Sequence, residues 1–124
     1  MSINIKAVAK KATVIAEIME GRDKGDTQDL IGRKVTINDV EECQLVNEDG
    51  EVEIVYAYTV DEFANKFYFA GYVLKKIFSE ILSQCGDNLE DMYKAVREQK
   101  LKVEFGSKKT KDGKRTVTTI TVLD

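Results

Sequence analysis

The chain has 124 residues, of which 43% are hydrophobic and 33% charged, and its formal net charge is −3 at pH 7. This composition is ordinary for a soluble globular protein, and the length predicts a single domain over residues 1–124. No apolar run approaches the ~20 residues of a membrane-spanning helix, and the N-terminus shows no continuous signal-peptide segment. We therefore expect a cytoplasmic protein with no membrane contact.

The charges are segregated along the chain. Residues 1–16 carry three lysines and no acid, residues 17–62 carry fourteen acids against four bases, and residues 63–124 carry twelve bases against eight acids. Binding partners respond to such local fields more than to the net charge.

Residues 1–31 are predicted to form an N-terminal extension and a loop. Ala12–Met19 contains enough Val and Ile for a strand, although its periodicity is ambiguous. Glu20–Gly32 is polar and contains three glycines, which predicts a loop.

From Arg33 onwards, apolar and polar residues alternate with the period of a strand. The first predicted strand is long, with a bend near Asn38–Val40 where the alternation weakens. An Asp-Gly turn follows it. In the second strand, Tyr56 and Tyr58 belong to the face that we expect to be buried. The three strands of this part are Arg33–Val46, Val52–Val60 and Lys66–Ala70.

Two helices and two more strands follow. Apolar residues between Leu74 and Cys85 recur with the spacing of one helical face, and Gly86 supplies a stop. A second helix is predicted over Asn88–Gln99, with Asn88 as its N-cap. The fourth strand alternates Leu101, Val103 and Phe105 with polar residues. The turn Ser107–Lys114 joins it to the fifth strand, Arg115–Leu123.

This order of elements is that of an OB-fold, a five-stranded and partly open β-barrel with a helix between strands three and four. We therefore predict a mainly β fold with helix: a five-stranded OB-fold-like barrel over residues 32–124, preceded by the extension. An α+β sandwich and a small SH3-like barrel are the alternatives, but neither accounts as directly for a helix at this position.

Three segments also carry a resemblance: GRKVTINDVE, EIVYAYTVDEFANKFYFAGYVLKKI and LKVEFGSKKTKDGKRTVTTITV. Together they resemble small phage and prophage proteins related to single-stranded DNA-binding proteins. The shared features are an aromatic strand that runs through a glycine into a helix, and a closing lysine-rich hairpin. The resemblance covers roughly residues 32–123, and it implies an OB-fold that holds single-stranded nucleic acid.

The candidate binding residues are mostly cations of the last hairpin. Lysines near the loop between strands four and five of an OB-fold neutralise phosphates and release counterions. With Phe67 and Phe69 pointing into the core, Tyr68 is expected to point out of the third strand and to stack on a base. Tyr72 and Tyr93 are expected to pack with the helices. The predicted phosphate contacts are Lys108, Lys109, Lys111, Lys114 and Arg115, with Lys100 and Lys102 extending the track. The alternative reading is a solvated hairpin, protected from edge pairing by its lysines.

The acidic segment 39–62 opens a second possibility. Its turn carries Glu48, Asp49 and Glu51, and in an OB-fold this turn flanks the same groove from the other side. The segment would then serve a protein partner, as an inhibitor or a DNA mimic. Sheet edges and the acidic face also leave room for a homo-oligomer.

Catalysis has little support in the sequence. There is no histidine to act as a base, no phosphate-binding glycine loop and no Ca²⁺-loop spacing, so we expect no enzyme, no cofactor and no metal site. Cys43 and Cys85 have no CxxC spacing and are expected to be free thiols. The expected function is sequence-independent single-stranded DNA binding in phage or mobile-element replication or recombination, with a replication or recombination protein as a further partner. The alternative is the phage-encoded interaction module.

Overall fold

In the part of the chain that the structure describes, a curled half-barrel sheet of six strands packs with two helices. The computed structural model describes residues 17–46 and 48–123. The strands are β1 (Asp23–Lys24), β2 (Lys34–Val46), β3 (Val52–Val60), β4 (Lys66–Phe69), β5 (Leu101–Lys109) and β6 (Thr116–Val122). The helices are α1 (Tyr72–Gln84) and α2 (Leu89–Gln99), and short 3₁₀ helices cover Glu17–Met19, Thr27–Leu30 and Asp61–Phe63. The mainly β, barrel-like class predicted from the sequence is confirmed.

Strand β2 is the centre of the sheet, whose order is β1-β4-β3-β2-β5-β6. Its first part, Lys34–Ile37, pairs with β5, and Ile37–Val46 pairs with β3. The register shifts between Ile37 and Asp39, where the sequence predicted a bend. A bulge of this kind bends a strand and increases its twist. Before the bulge β2 pairs with β5, and after the bulge it pairs with β3.

The sixth strand, β1, lies in the segment that was predicted to be a loop. It pairs in parallel with β4, with Asp23 opposite Lys66, and the Gly25 N–H donates to the Phe67 carbonyl at 2.8 Å. With this edge of β4 occupied, β4 does not pair with β6 within the described residues, and β1 and β6 are the two ends of the sheet. The sheet is therefore curled but open.

The rest of the N-terminal segment also differs from the prediction. Thr27–Leu30 forms a 3₁₀ helix that Asp26 caps, and Leu30 is fully buried in the core. In the predicted strand Ala12–Met19, residues 12–16 lie outside the described residues, and Glu17–Met19 is a 3₁₀ helix. Neither 3₁₀ helix has a periodic apolar pattern long enough to reveal it in the sequence.

The helices and the sheet enclose the main core. α1 buries Leu74 and Phe78, as its apolar stripe predicted, and α2 begins after the predicted N-cap Asn88, whose side chain accepts from the Asp91 N–H at 3.1 Å. Each fully buried aliphatic or aromatic side chain stabilises the fold by ~1.5–3 kcal/mol. Among all the helices of the described residues, none has the length and hydropathy that a membrane crossing requires.

The tyrosines correct two predictions and confirm three. Tyr56, Tyr58 and Tyr93 are buried as expected. Tyr68 does not face solvent: only 1% of its surface is exposed, and its ring stacks on Tyr58 at 5.6 Å. Tyr72, expected to pack, is 77% exposed.

The alternation along β4 was correct, but its faces were assigned the wrong way round. Tyr68 joins the main core, whereas Phe67 packs on the other side of the sheet with Ile18, Cys43 and Ala57. Both faces of the sheet are covered at this point, because the segment around Ile18 lies against the second one. Phe67 and Phe69 therefore do not point into the main core as predicted, and Tyr68 is inaccessible to a base.

Candidate nucleic-acid interface

The hairpin between β5 and β6 ends in an ordered turn. The Thr110 N–H donates to the Arg115 carbonyl at 2.9 Å, and the Gly113 N–H donates to the Thr110 carbonyl at 2.8 Å. Asp112 accepts from the Thr110 hydroxyl and from the Lys114 N–H, and these hydrogen bonds hold the pKa of its carboxyl below the usual range. The one acid of the turn is thus engaged in shaping it.

Five cations surround this turn, and all of them are exposed. They are Lys108, Lys109, Lys111, Lys114 and Arg115. None forms an ion pair with another described residue, whereas the ion pairs seen in that part of the chain use Lys94, Arg97 and Lys100. The structure therefore brings the predicted hairpin cations together as a positive cluster without ion pairs, in which five cations outnumber the one carboxylate of Asp112; we call it the basic hairpin.

Lys100 and Lys102 lie at the other end of β5. Lys102 and Lys108 are six positions apart in the strand, which at ~3.3 Å per position places their backbones ~20 Å apart. The Lys100 ammonium pairs with Asp61 at 3.1 Å, and the Asn38 side chain and Lys100 together hold the pKa of Asp61 below its usual range. Lys102 is exposed, but Lys100 already has an anionic partner.

An apolar cleft adjoins the basic hairpin. It lies between β4, the first turn of α1 and β6, and its volume is about 370 Å³. The residues that shape it include Phe69, Tyr72, Val73, Leu74, Val117 and Ile120, and none of the acidic residues that the structure describes lines it. Since Val117 is the cross-strand partner of Lys108, the cleft and the basic hairpin share the β5–β6 ladder.

The cleft presents aromatic rings and ammonium groups to solvent. Tyr72 is 77% exposed, and the Lys76 ammonium lies 5.3 Å from the centre of its ring. The Lys24 ammonium lies 5.3 Å from the centre of the Phe69 ring. Gly71, the N-cap of α1, provides no side-chain cap, and the first helical turn contains no acid, so the helix end adds positive potential here.

Tyr72 was missed as a candidate, although the sequence contains the signal. On a helix with 100° per residue, position 72 lies about 160° from Leu74 and thus opposite the apolar stripe. The helical spacing that identified the buried face of α1 therefore also predicts that Tyr72 is exposed.

A second, acidic cleft lies along the other half of β2. Its volume is about 730 Å³, and four carboxylates line it, those of Glu17, Glu41, Glu42 and Glu90. Arg97 also lines it, but its guanidinium is paired with Asp39 at 2.9 Å. The Glu42 N–H donates to the Tyr93 hydroxyl at 2.8 Å, and burial raises the pKa of that tyrosine. This surface repels phosphate.

The acidic turn between β2 and β3 does not flank the basic hairpin. β3 pairs with the C-terminal part of β2, and β5 pairs antiparallel with its N-terminal part. The two turns therefore lie beyond opposite ends of β2. Near the acidic turn, four apolar side chains are 40–56% exposed: Leu45, Val46, Val52 and Ile54.

The cysteines and acids show no arrangement for catalysis or metal binding. Within residues 17–46 and 48–123, no group of three or more Cys, Asp or Glu side chains is placed to hold a metal ion. Both cysteines are free thiols. Cys43 is buried beside Ile18, and desolvation followed by the charge of Glu41 raises its pKa; Cys85 packs against the main core.

Comparison with known proteins gives no relative: no protein-family model, curated protein or solved structure matches the chain.

Proposed function

We propose that this protein binds single-stranded DNA with little sequence preference. The observation that carries the proposal is the basic hairpin, whose five cations are exposed and form no ion pair with a described residue. Such a cluster gains affinity by neutralising phosphates and releasing counterions, which requires no particular base sequence. The resemblance of residues 32–123 suggests phage or mobile-element replication or recombination as the setting.

The order of the strands supports an OB-fold origin for the half-barrel. The central strand, β2, is bent. It forms a hairpin with β3 on one side and pairs with β5 of the β5–β6 hairpin on the other. Both helices lie between β4 and β5 in the chain. The departures are the second helix and the added β1 strand. In this reading, β1 takes the edge of β4 that would otherwise face the last strand of a closed barrel.

The shape of the basic hairpin suits a flexible single strand of DNA. Its turn is fixed by backbone hydrogen bonds, while the long lysine side chains remain free to follow a backbone of variable shape. Lys102, on the outer side of β5, extends this track for a strand that continues along the sheet. Lys100 contributes less, since binding phosphate would require it to leave Asp61.

The test is a titration of labelled oligo-dT at two salt concentrations. If all five hairpin cations contact phosphate, the logarithm of the association constant falls against the logarithm of salt with a slope of about −3.5. Replacing Lys108, Lys109 and Lys111 by Glu is expected to abolish binding. Native binding by this triple variant would exclude the hairpin from the interface.

A matched pair of single variants separates local from overall charge. Lys111→Glu and Lys94→Glu change the net charge equally, and both side chains are exposed. Lys111→Glu is expected to weaken oligo-dT binding several-fold, and Lys94→Glu, on α2, to leave it near the native value. Equal losses in the two variants would contradict a local site.

The exposed apolar residues near the acidic turn favour a second candidate function. Val52 and Ile54 are 56% and 45% exposed in a strand whose register with β2 is otherwise regular. Apolar side chains beside acidic ones suit a protein partner, as in an inhibitor or a DNA mimic. This function predicts no oligo-dT binding at low salt, and retention of a host or phage enzyme that is lost with Ile54→Glu.

A further inference from the structure

We propose that the apolar cleft beside the basic hairpin takes up nucleobases of the bound strand, with Tyr72 as the residue on which a base stacks. This inference rests on the proposed function: the basic hairpin holds phosphates, and the cleft adds a site for the bases attached to them.

The first argument is the exposure of Tyr72. Aromatic side chains gain stability when their rings are buried, yet Tyr72 is 77% exposed. Val73 and Val117 are 37% and 46% exposed in the same cleft. These residues leave a contiguous apolar surface whose burial would favour a ligand with a flat, weakly polar face.

The second argument is charge complementarity. Lys24 and Lys76 lie beside the cleft, each with an ammonium 5.3 Å from the centre of one of its rings. None of the described acidic residues lines the cleft, although Asp26 lies next to Lys24 in the adjoining cleft. The ligand is therefore expected to combine negative charge with flat apolar groups. A single strand of DNA has both, because its bases are not paired with a partner strand and its phosphates are charged.

The third argument is continuity with the basic hairpin. Val117, on the wall of the cleft, is directly opposite Lys108 in the β5–β6 ladder, and Arg115 lies two residues before it in the chain. A strand whose phosphates contact these cations needs no long detour to bring its bases to Tyr72. The acidic cleft does not adjoin the basic hairpin, and four carboxylates line it against the one guanidinium of Arg97.

The experiment compares two probes of equal length, oligo-dT and the corresponding abasic oligonucleotide, which keeps the phosphodiester backbone but lacks bases. Stacking of one base is worth ~1–3 kcal/mol, so the native protein is expected to bind oligo-dT about 5- to 160-fold more tightly than the abasic probe. Tyr72→Ala should bring oligo-dT down to the abasic affinity without changing the abasic affinity. Tyr72→Phe keeps a ring and should retain the preference.

A second readout uses the absence of tryptophan from the sequence. Tyr72→Trp gives the chain a single indole, whose fluorescence is expected to be quenched by oligo-dT and unchanged by the abasic probe. Val117→Glu and Val122→Glu form a matched control, because both valines are on β6 and about half exposed, and Val122 is not among the residues that line the cleft. Only Val117→Glu should lower the preference for oligo-dT.

The possible outcomes separate the two proposals. Equal native affinity for both probes, with loss of both in the hairpin variant, would overturn the cleft proposal and leave the hairpin function standing. A preference for oligo-dT that survives Tyr72→Ala would also overturn the cleft proposal. This result is expected if the cleft takes an acidic peptide and not a base. If neither probe binds the native protein, both proposals are wrong.

Discussion

The close contact between Gly25 and Tyr68 allows a test of the N-terminal segment's place in the fold. A Cβ added at Gly25 would lie 2.3 Å from Cε1 and 2.7 Å from Cζ of the Tyr68 ring. Carbon atoms in contact are normally ~3.5–4.0 Å apart, so the ring or β1 would have to move by more than ~1 Å. Tyr68 is fully buried and stacked on Tyr58, and the Gly25 N–H donates a hydrogen bond to the Phe67 carbonyl. Neither the Tyr68 ring nor the Gly25 backbone therefore moves easily.

We expect Gly25→Ala to destabilise the protein by about 2 kcal/mol. Overpacking of this kind costs ~1–3 kcal/mol, and the upper end applies here because the contact is with a buried ring; the loss of backbone freedom in the unfolded chain offsets at most ~1 kcal/mol of this. The measurement is urea unfolding followed by circular dichroism. With a slope of ~1.5 kcal/mol per molar urea, the midpoint should fall by about 1.3 M.

The chain offers a matched control in Gly106. A Cβ there would also be too close to a neighbour, but the neighbour is the Thr119 hydroxyl at 2.8 Å, which rotates away at little cost. Gly106→Ala should therefore shift the midpoint much less than Gly25→Ala. Equal shifts would refute the packing of β1 against an inward-facing Tyr68. Adding Tyr68→Leu to Gly25→Ala should cost less than the sum of the two single changes, because the smaller side chain removes the clash.

Two further predictions concern buried polar groups. The Tyr58 hydroxyl has no hydrogen-bond partner among the described residues, and burial raises its pKa while a weaker interaction with Thr27 opposes the shift in part. In urea unfolding, Tyr58→Phe is thus expected to be neutral or stabilising by up to ~1 kcal/mol. Tyr93→Phe removes the acceptor of the Glu42 N–H and should lower the free energy of unfolding by ~1–2 kcal/mol. A greater loss of stability in Tyr58→Phe than in Tyr93→Phe would contradict the geometry. Burial and a raised pKa should make the native Cys43 thiol react with a thiol reagent far more slowly than Cys85, and unfolding in urea should bring the two rates together; a fast reaction of native Cys43 would mean that its side of the sheet is open.

The predictions that held depend on local periodicity. The apolar stripe of α1 and the alternation along β5 and the first part of β2 are properties of adjacent residues, so they were visible in the sequence. The alternation predicted for β3 did not hold, because both faces of its second half are buried and its first half is exposed. The bend in β2 was visible too, because the alternation weakens where the register shifts. The basic hairpin followed from composition and an Asp-Gly turn.

The predictions that failed depend on contacts between distant segments. β1 has only two residues and is a strand because β4 lies beside it, 43 positions later in the chain. The orientation of Tyr68 could not be read from alternation, since alternation separates two faces without saying which one meets the helices. Tyr72 is a different case: its position opposite the stripe of α1 was predictable, and only the assumption that tyrosines near helices pack hid it.

The bulge in β2 links the fold to both candidate functions. By giving β2 one neighbour before it and another after it, the bulge places the basic hairpin and the acidic turn beyond opposite ends of the same strand. Interactions between exposed charges are largely screened beyond ~8–10 Å, so the acids at one end need not weaken phosphate binding at the other. The segregation of charge along the chain thus becomes a separation in space. DNA binding at one end and a protein contact at the other are therefore compatible, and a protein partner alone would not argue against the basic hairpin.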